Sequence, residues 1–257
     1  MAEMKALLLV LLAAIVAAAP AAEAGLTVFD HVTGVGCPVF LKVETRRFGF
    51  PEGGTRVRLF LEDRALGEIL TGADGRGYLK HTPASAGELR ISAHWHTAQD
   101  TGRLLVLGPE EKVVVVEIDA ALRSNPLDLA VREGSAAALE TLTGGCRLIY
   151  LGSLLGAFTA EKWLAENGLP QAVVLRNRGE ATFKHLAAHG VRPFAVIGSV
   201  GLLAAAKPYV EQRLSFEQTA DGETVKDWPA VLEALGASPG PRQCAPRSCR
   251  WPPCPRG

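Results

Sequence analysis

The chain has 257 residues, enough for one large domain or two medium ones, and 48% of them are hydrophobic, which excludes a wholly disordered protein. Its 27 basic residues balance 27 acidic ones, so no global charge draws it to nucleic acid or to an anionic membrane. We therefore expect no nucleic-acid partner. Five cysteines, an odd number, leave the disulfide pairing open.

The first 24 residues predict a secretory signal peptide. Lys5 supplies a positive charge, and residues 6–19 form an apolar segment of the length that such signals have. The small residues Ala22 and Ala24 offer a cleavage site. We expect a secreted or periplasmic protein with no membrane span in the mature chain, and a retained N-terminal anchor is the alternative interpretation.

Residues 25–109 predict a small β-sandwich. In the segment TRVRLFLED, Val57, Leu59 and Leu61 alternate with Arg56, Arg58 and Phe60, and the segment ELRISAHW repeats this period of two. Such alternation is typical of half-buried antiparallel strands. Runs of glycine, proline and aspartate separate the strands, as expected for an all-β domain with short turns.

The segment LTGADGRGYLKHTPASAGELRISAHW, residues 70–95, resembles immunoglobulin-like and transthyretin-like modules of bacteria. The resemblance lies in a T-x-x-D-G turn, a short strand, a T-P…G turn and a closing strand. It implies an immunoglobulin-like fold. It implies little about function, because such modules are spacers and adhesive units as often as binders.

Residues 110–236 predict an α/β domain. The apolar, β-branched run Val113–Ile118 suits a strand buried on both faces, and helical segments then alternate with further apolar runs. This alternation predicts a parallel sheet covered by helices, with Thr159 and Asp227 as helix N-caps. Residues 237–257 are rich in proline, arginine and cysteine, and we expect a disordered tail whose C-x4-C-x4-C spacing is not a recognised metal pattern.

Chemistry in an open α/β sheet lies at the carboxyl ends of its strands. Three such ends are marked by polar or glycine residues: Glu117 with Asp119, then Ser153, then Gly198 with Ser199. A helix between the last two carries Lys184. This order of acid, hydroxyl, lysine and glycine resembles the haloacid dehalogenase (HAD) superfamily, closest to its secreted and lipin-like phosphatases, and implies a HAD-like α/β fold.

The resemblance implies a role for each matching residue. Asp119 matches the family's proton-transfer aspartate, and Glu117 stands where the family has its nucleophilic aspartate. Ser153 matches the residue that holds the phosphoryl group, and Lys184 the lysine that neutralises it. Ser199 stands where the first acidic Mg²⁺ ligand belongs, and no acid is near it in sequence.

These departures predict a degenerate phosphatase site with little or no turnover. Glutamate is one methylene longer than aspartate, and a shift of about 1 Å in a positioned attack can cost on the order of 100-fold in rate. Without the fourth motif's acids, Mg²⁺ lacks its preferred ligands. We expect no cofactor; if the site is active, Glu117 and Asp119 would hold Mg²⁺.

The expected role is therefore non-catalytic, the binding of an unidentified ligand or partner, with a phosphate-bearing ligand as a candidate. Two alternatives stay open. One is an active Mg²⁺-dependent phosphatase of the HAD type or the lipin-like phosphatidate phosphatase type. The other is a structural or adhesive module of the cell envelope. Glu117 and Asp119 could also simply begin a helix-capping loop.

Two histidine pairs are candidate metal ligands. His94 and His96 flank a tryptophan on a predicted strand, which would place both on one face. His185 and His189 lie one helical turn apart. In both cases solvent-facing histidines without a metal are the favoured interpretation.

Overall fold

A computed structural model describes residues 24–125, 130–152 and 157–237. They form two compact units that interleave along the chain. The first unit contains residues up to Val28, with Lys42–Leu79 and Ile91–Thr101; the second contains Phe29–Leu41, Lys80–Arg90 and the chain from Gly102 onward. The predicted domain boundaries at residues 25–109 and 110–236 stay predictions. The predicted signal peptide lies outside the described residues except for Ala24, and the predicted tail does so except for Ala237.

The N-terminal region is all β, as predicted. Its nine strands are β1 (Ala24–Val28), β2 (His31–Gly34), β3 (Val39–Arg47), β4 (Phe50–Pro51), β5 (Arg56–Leu61), β6 (Arg64–Leu70), β7 (Arg76–His81), β8 (Gly87–Trp95) and β9 (Ala98–Leu107). One sheet has the order β1-β3-β4, with β7 also paired to β3, and the other has the order β2-β9-β8-β5-β6. Two sheets of four and five strands are the composition of a β-sandwich.

The alternation predicted for β5 is present from Arg56 to Leu59, but it is lost at Phe60 and Leu61, which are both partly buried and follow a register shift in the pairing with β6. Val57 and Leu59 are fully buried, whereas Arg56 and Arg58 are exposed. A strand whose side chains alternate between core and solvent belongs to a sheet with one solvent-exposed face. Antiparallel sheets allow this, and β5 pairs antiparallel with both of its neighbours.

The strand that carries His94 ends one residue before His96. Trp95 is the last residue of β8, and His96 adopts a φ of 52° in the following turn. The alternation of a strand does not extend through a left-handed residue, so the predicted shared face of this histidine pair is wrong. The His94 ring lies 4.8 Å from the ring of Phe60, between centroids.

The C-terminal region is α/β, with a parallel sheet. After β10 (Val113–Glu117) come a π-helix (Ile118–Leu122), α1 (Ser135–Thr143), β11 (Arg147–Gly152), α2 (Ala157–Glu166), β12 (Val173–Arg176), α3 (Glu180–Ala188), β13 (Ala195–Ile197), α4 (Val200–Ala206), β14 (Gln212–Ser215), β15 (Glu223–Thr224) and α5 (Trp228–Ala234). The strand order is β12-β11-β10-β13-β14-β15, with every neighbouring pair parallel.

The central strand β10 is buried on both faces, as its run of valines predicts. Val114 and Val116 belong to one hydrophobic cluster, and Val113 and Val115 belong to the other. All four are fully buried. Helices therefore cover both sides of the sheet, the arrangement that lets a parallel strand be apolar throughout.

The strand order reverses beside β10. From β10 the chain proceeds through β11 to the edge strand β12, and it then returns to place β13 on the other side of β10. In open α/β sheets, ligands bind at such a switch point, outside the carboxyl ends of the strands. Glu117 ends β10 and Gly198 follows β13, so both lie at this switch point.

Within the part of the chain that the structure describes, no helix is both long enough and apolar enough to cross a membrane.

Candidate functional site

The carboxylate of Glu117 joins three strand ends. Its Oε1 accepts a hydrogen bond from Nδ2 of Asn177, which follows β12, at 2.9 Å. Its Oε2 accepts a hydrogen bond from the backbone N–H of Ser199, which follows β13, at 2.7 Å. With only 6% of the residue exposed, these donors satisfy a charge that is almost wholly removed from water.

Asn177 is held in the orientation that this contact needs. Its Oδ1 accepts a hydrogen bond from the backbone N–H of Gly179 at 2.9 Å, which directs the amide nitrogen toward Glu117. Its own backbone N–H donates to the carbonyl of Gly152 at 2.9 Å. Asn177 was not predicted as a site residue, although its place two residues after the apolar run Ala172–Leu175 is a signal that could have found it.

A glycine lets the Glu117 side chain approach the end of β13. A Cβ at Gly198 would lie 2.7 Å from Oε2 of Glu117 and 2.8 Å from Cδ2 of Leu202. Separations this short are repulsive. The bond from Ser199 to Glu117 therefore depends on the absence of a side chain at residue 198.

Asp119 forms a buried ion pair. It lies in the π-helix, and its Oδ1 is 3.1 Å from Nη1 of Arg123, four residues later. Only 11% of the aspartate side chain and 5% of the arginine side chain are exposed. Arg123 was not predicted as a site residue, although an i, i+4 pair of opposite charges after a strand end is visible in the sequence.

The other two predicted residues are placed differently. Ser153 lies outside the described residues. Lys184 lies on α3 with 64% of its side chain exposed, and its Nζ is 3.0 Å from Oε1 of Glu180, one turn earlier. This contact raises the pKa of Lys184 and lowers the pKa of Glu180. The predicted role of Lys184 beside a phosphate stays a prediction.

The described residues do not fit a magnesium ion. Across residues 24–125, 130–152 and 157–237, no three His, Cys, Asp or Glu side chains come together as a metal site. A guanidinium contacts Asp119, and N–H donors contact both oxygens of Glu117. Mg²⁺ requires oxygen ligands in octahedral geometry and is repelled by a neighbouring cation.

No protein-family model matches the sequence, and no curated protein matches it. Among solved structures, an FMN-binding beta-glucuronidase from Facaelibacterium prausnitzii L2-6 is 14% identical with a TM-score of 0.26, over 34% of this chain and 12% of that one. The CARDB domain of PF1109 from Pyrococcus furiosus is 20% identical with a TM-score of 0.25, over 33% of this chain and 95% of that one. An IG27 protein domain is 16% identical with a TM-score of 0.27, over 34% of this chain and 98% of that one.

This chain therefore spans only a small part of the first of these proteins. The two architectures described above rest on the topology of the chain itself. The HAD resemblance of residues 113–235 rests on the sequence pattern.

Proposed function

We propose that this protein is an exported, non-catalytic relative of the HAD phosphatases. Its α/β domain binds a ligand or partner at the carboxyl ends of the strands, with a phosphate-bearing ligand as the first candidate. The observation that carries this proposal is the engagement of both oxygens of Glu117 by donors of the protein itself.

The position of the site supports a binding role. Glu117 and Ser199 lie where the strand order reverses, between β10 and β13. This is the crevice in which open α/β sheets bind their ligands. A site can keep this location after its chemistry is lost, because the crevice is a property of the topology.

The contacts of Glu117 oppose a nucleophilic role. A carboxylate that attacks phosphorus must direct one oxygen along the line of the leaving group at close range. Here Asn177 and the N–H of Ser199 hold one oxygen each, at 2.9 and 2.7 Å. The side chain is fixed as a structural link between strand ends, and an attack would require at least one of these bonds to be lost or redirected.

The contacts of Asp119 oppose a proton-transfer role. A general acid must hold a proton and deliver it to the leaving group. An ionised carboxylate is an acceptor only, and the guanidinium 3.1 Å from Asp119 stabilises that ionised form. Because the pair is buried, replacing either partner alone would leave the other charge in the interior without this ion pair, which is destabilising.

The first experiment measures turnover. The full chain is incubated with an aryl phosphate and Mg²⁺, beside the variants Asp119→Asn and Glu117→Asp; the second restores the family's aspartate. We expect all three to hydrolyse the ester at the background rate. Turnover by the unaltered chain that Asp119→Asn abolishes would contradict the proposal and support the Mg²⁺-dependent phosphatase.

The second experiment measures binding by thermal unfolding in inorganic phosphate. A ligand at 10 times its Kd stabilises the folded state by about 1.4 kcal/mol, so the unfolding temperature should rise. Ser153→Ala, at the position where the family holds the phosphoryl group, should reduce this rise, and Ser92→Ala in β8 is the matched control. A chain that shows neither turnover nor stabilisation would favour the envelope scaffold.

A further inference from the structure

Two histidine rings meet near the C-terminal end of α3. The centroids of the His185 and His189 rings are 4.4 Å apart, and the ring planes cross at 68°. His185 is exposed to solvent and His189 is half-buried. This pair lies outside the strand-end site, and nothing in the proposed function uses it.

The separation of the ring centroids is compatible with two imidazoles on one metal ion, and it is also close to that of an ordinary edge-to-face ring contact. A metal–nitrogen bond is about 2.1 Å, and the ring centre lies about 1.1 Å behind the nitrogen, so two rings bound at a right angle have centroids about 4.5 Å apart. A tetrahedral angle would give about 5.2 Å on the same arithmetic. The observed 4.4 Å fits the right-angled geometry, which Cu²⁺ and Ni²⁺ prefer.

The hydrogen bond of His189 prepares its other nitrogen for a metal. Nδ1 lies 2.9 Å from the carbonyl oxygen of Pro38, and a carbonyl can only accept, so Nδ1 carries the proton. In the neutral ring the lone pair then lies on Nε2. Metal-binding histidines are oriented in this manner by a carbonyl or carboxylate on the opposite nitrogen.

His185 is free to complete the pair. In the described part of the chain its ring makes a ring contact with His189 and no hydrogen bond, so binding an ion would break no hydrogen bond of this ring. The neighbouring Lys184 is ion-paired with Glu180. Burial, and then the charges of His189 and Arg178, lower the pKa of His185 below its ordinary value. An ion here would complete its coordination with water.

We infer that His185 and His189 form a binding site for a divalent transition ion with right-angled coordination, Cu²⁺ or Ni²⁺. The ion would also stabilise the junction between α3 and the β2–β3 turn. The carbonyl of His189 accepts the N–H of Gly34 at 2.9 Å, and its ring bonds Pro38 in the same turn. An ion on Nε2 would hold this ring in place.

Ni²⁺ is the probe, because it does not oxidise thiols as Cu²⁺ does. Calorimetric titration of the full chain should show one site, and Ni²⁺ should raise the unfolding temperature because it binds the folded state. His185→Ala removes an exposed ligand and should weaken binding at least about tenfold, since the second nitrogen no longer binds as part of a chelate. It should also reduce the thermal shift measured at the same Ni²⁺ concentration.

The control is His94→Ala, which removes a histidine of the other pair and should leave Ni²⁺ binding unchanged. A second variant, His185→Gln, keeps the side-chain volume and should behave as His185→Ala does. Equal Ni²⁺ affinity in the unaltered chain and in both His185 variants would overturn the inference. So would a loss of binding in His94→Ala alone.

Discussion

The glutamate at residue 117 has a structural consequence that an aspartate would not have. Its extra methylene carries the carboxylate to Asn177 on one side and to the N–H of Ser199 on the other. The departure from the family pattern and the shortage of acids could be predicted from the sequence, because both are properties of residue type. The partners of the carboxylate could not be predicted, since they come from strand ends 60 and 82 residues away.

Two glycines, one beside Glu117 and one in α4, allow a matched test of this close packing. Gly198→Ala should destabilise the fold by about 1–3 kcal/mol, because its Cβ would lie 2.7 Å from Oε2 of Glu117 in a packed site. Gly201→Ala, in α4, meets nothing within 4 Å and should be stabilising by about 0.5–1 kcal/mol from helix propensity alone. Urea unfolding measures both; equal effects would mean that the close approach to Glu117 contributes nothing.

Among the elements, those with strong local patterns were predictable. The alternating strand β5 and the apolar strand β10 follow their sequence periods, and Asp227 caps α5 as predicted, with Oδ1 accepting from the N–H of Ala230 at 2.9 Å. Thr159, the other predicted cap, lies inside α2, which begins two residues earlier. The π-helix after β10 has no periodic signal, and it is what brings Arg123 to Asp119.

One element depends on a contact with no local signal. Strand β12 is at the edge of the parallel sheet, where unpaired N–H groups are a liability. Asp30, which immediately precedes β2, covers this edge: its Oδ2 accepts from the N–H of Val174 and its Oδ1 from the N–H of Arg103, both at 2.7 Å. Burial raises the pKa of Asp30 above its ordinary value, against the lowering effect of these two N–H groups and of the Arg103 charge, while Glu88 adds to the rise.

The raised pKa of Asp30 predicts a pH dependence with a definite sign. The folded state binds the proton more tightly than the unfolded chain, so the contribution of Asp30 to stability is largest below the unfolded pKa. It is lost as the pH rises from about 4 through the folded pKa. As the pH rises, the unfolding free energy of the unaltered chain should therefore fall relative to that of Asp30→Asn. Urea unfolding at pH values from about 4 to 7 measures it, and a difference that is constant or moves the other way would contradict the assignment.

For the molecule as a whole, two properties act together on solubility. The 27 basic and 27 acidic residues cancel, with an isoelectric point near 7.0, so copies of the chain do not repel one another at neutral pH. Phe48, in the turn after β3, and Phe50, the first residue of β4, are also 70% and 75% exposed. The composition predicted the first property. The second was not predictable, because nothing in the sequence says that these aromatic residues stay outside the core.

We therefore predict concentration-dependent self-association near pH 7, measured by light scattering, that declines at pH 9, where net negative charge separates the molecules. The double variant Phe48→Asn, Phe50→Ser should associate less at pH 7. Its unfolding free energy should not fall, because exposed side chains contribute little and asparagine tolerates the φ of 54° at residue 48 better than phenylalanine does. Leu70→Ser, which removes a single side chain that is 65% exposed, is the control and should have a smaller effect, since isolated apolar residues are ordinary on protein surfaces. If the double variant and the unaltered chain scatter equally at every concentration, the aromatic pair is not what brings the molecules together.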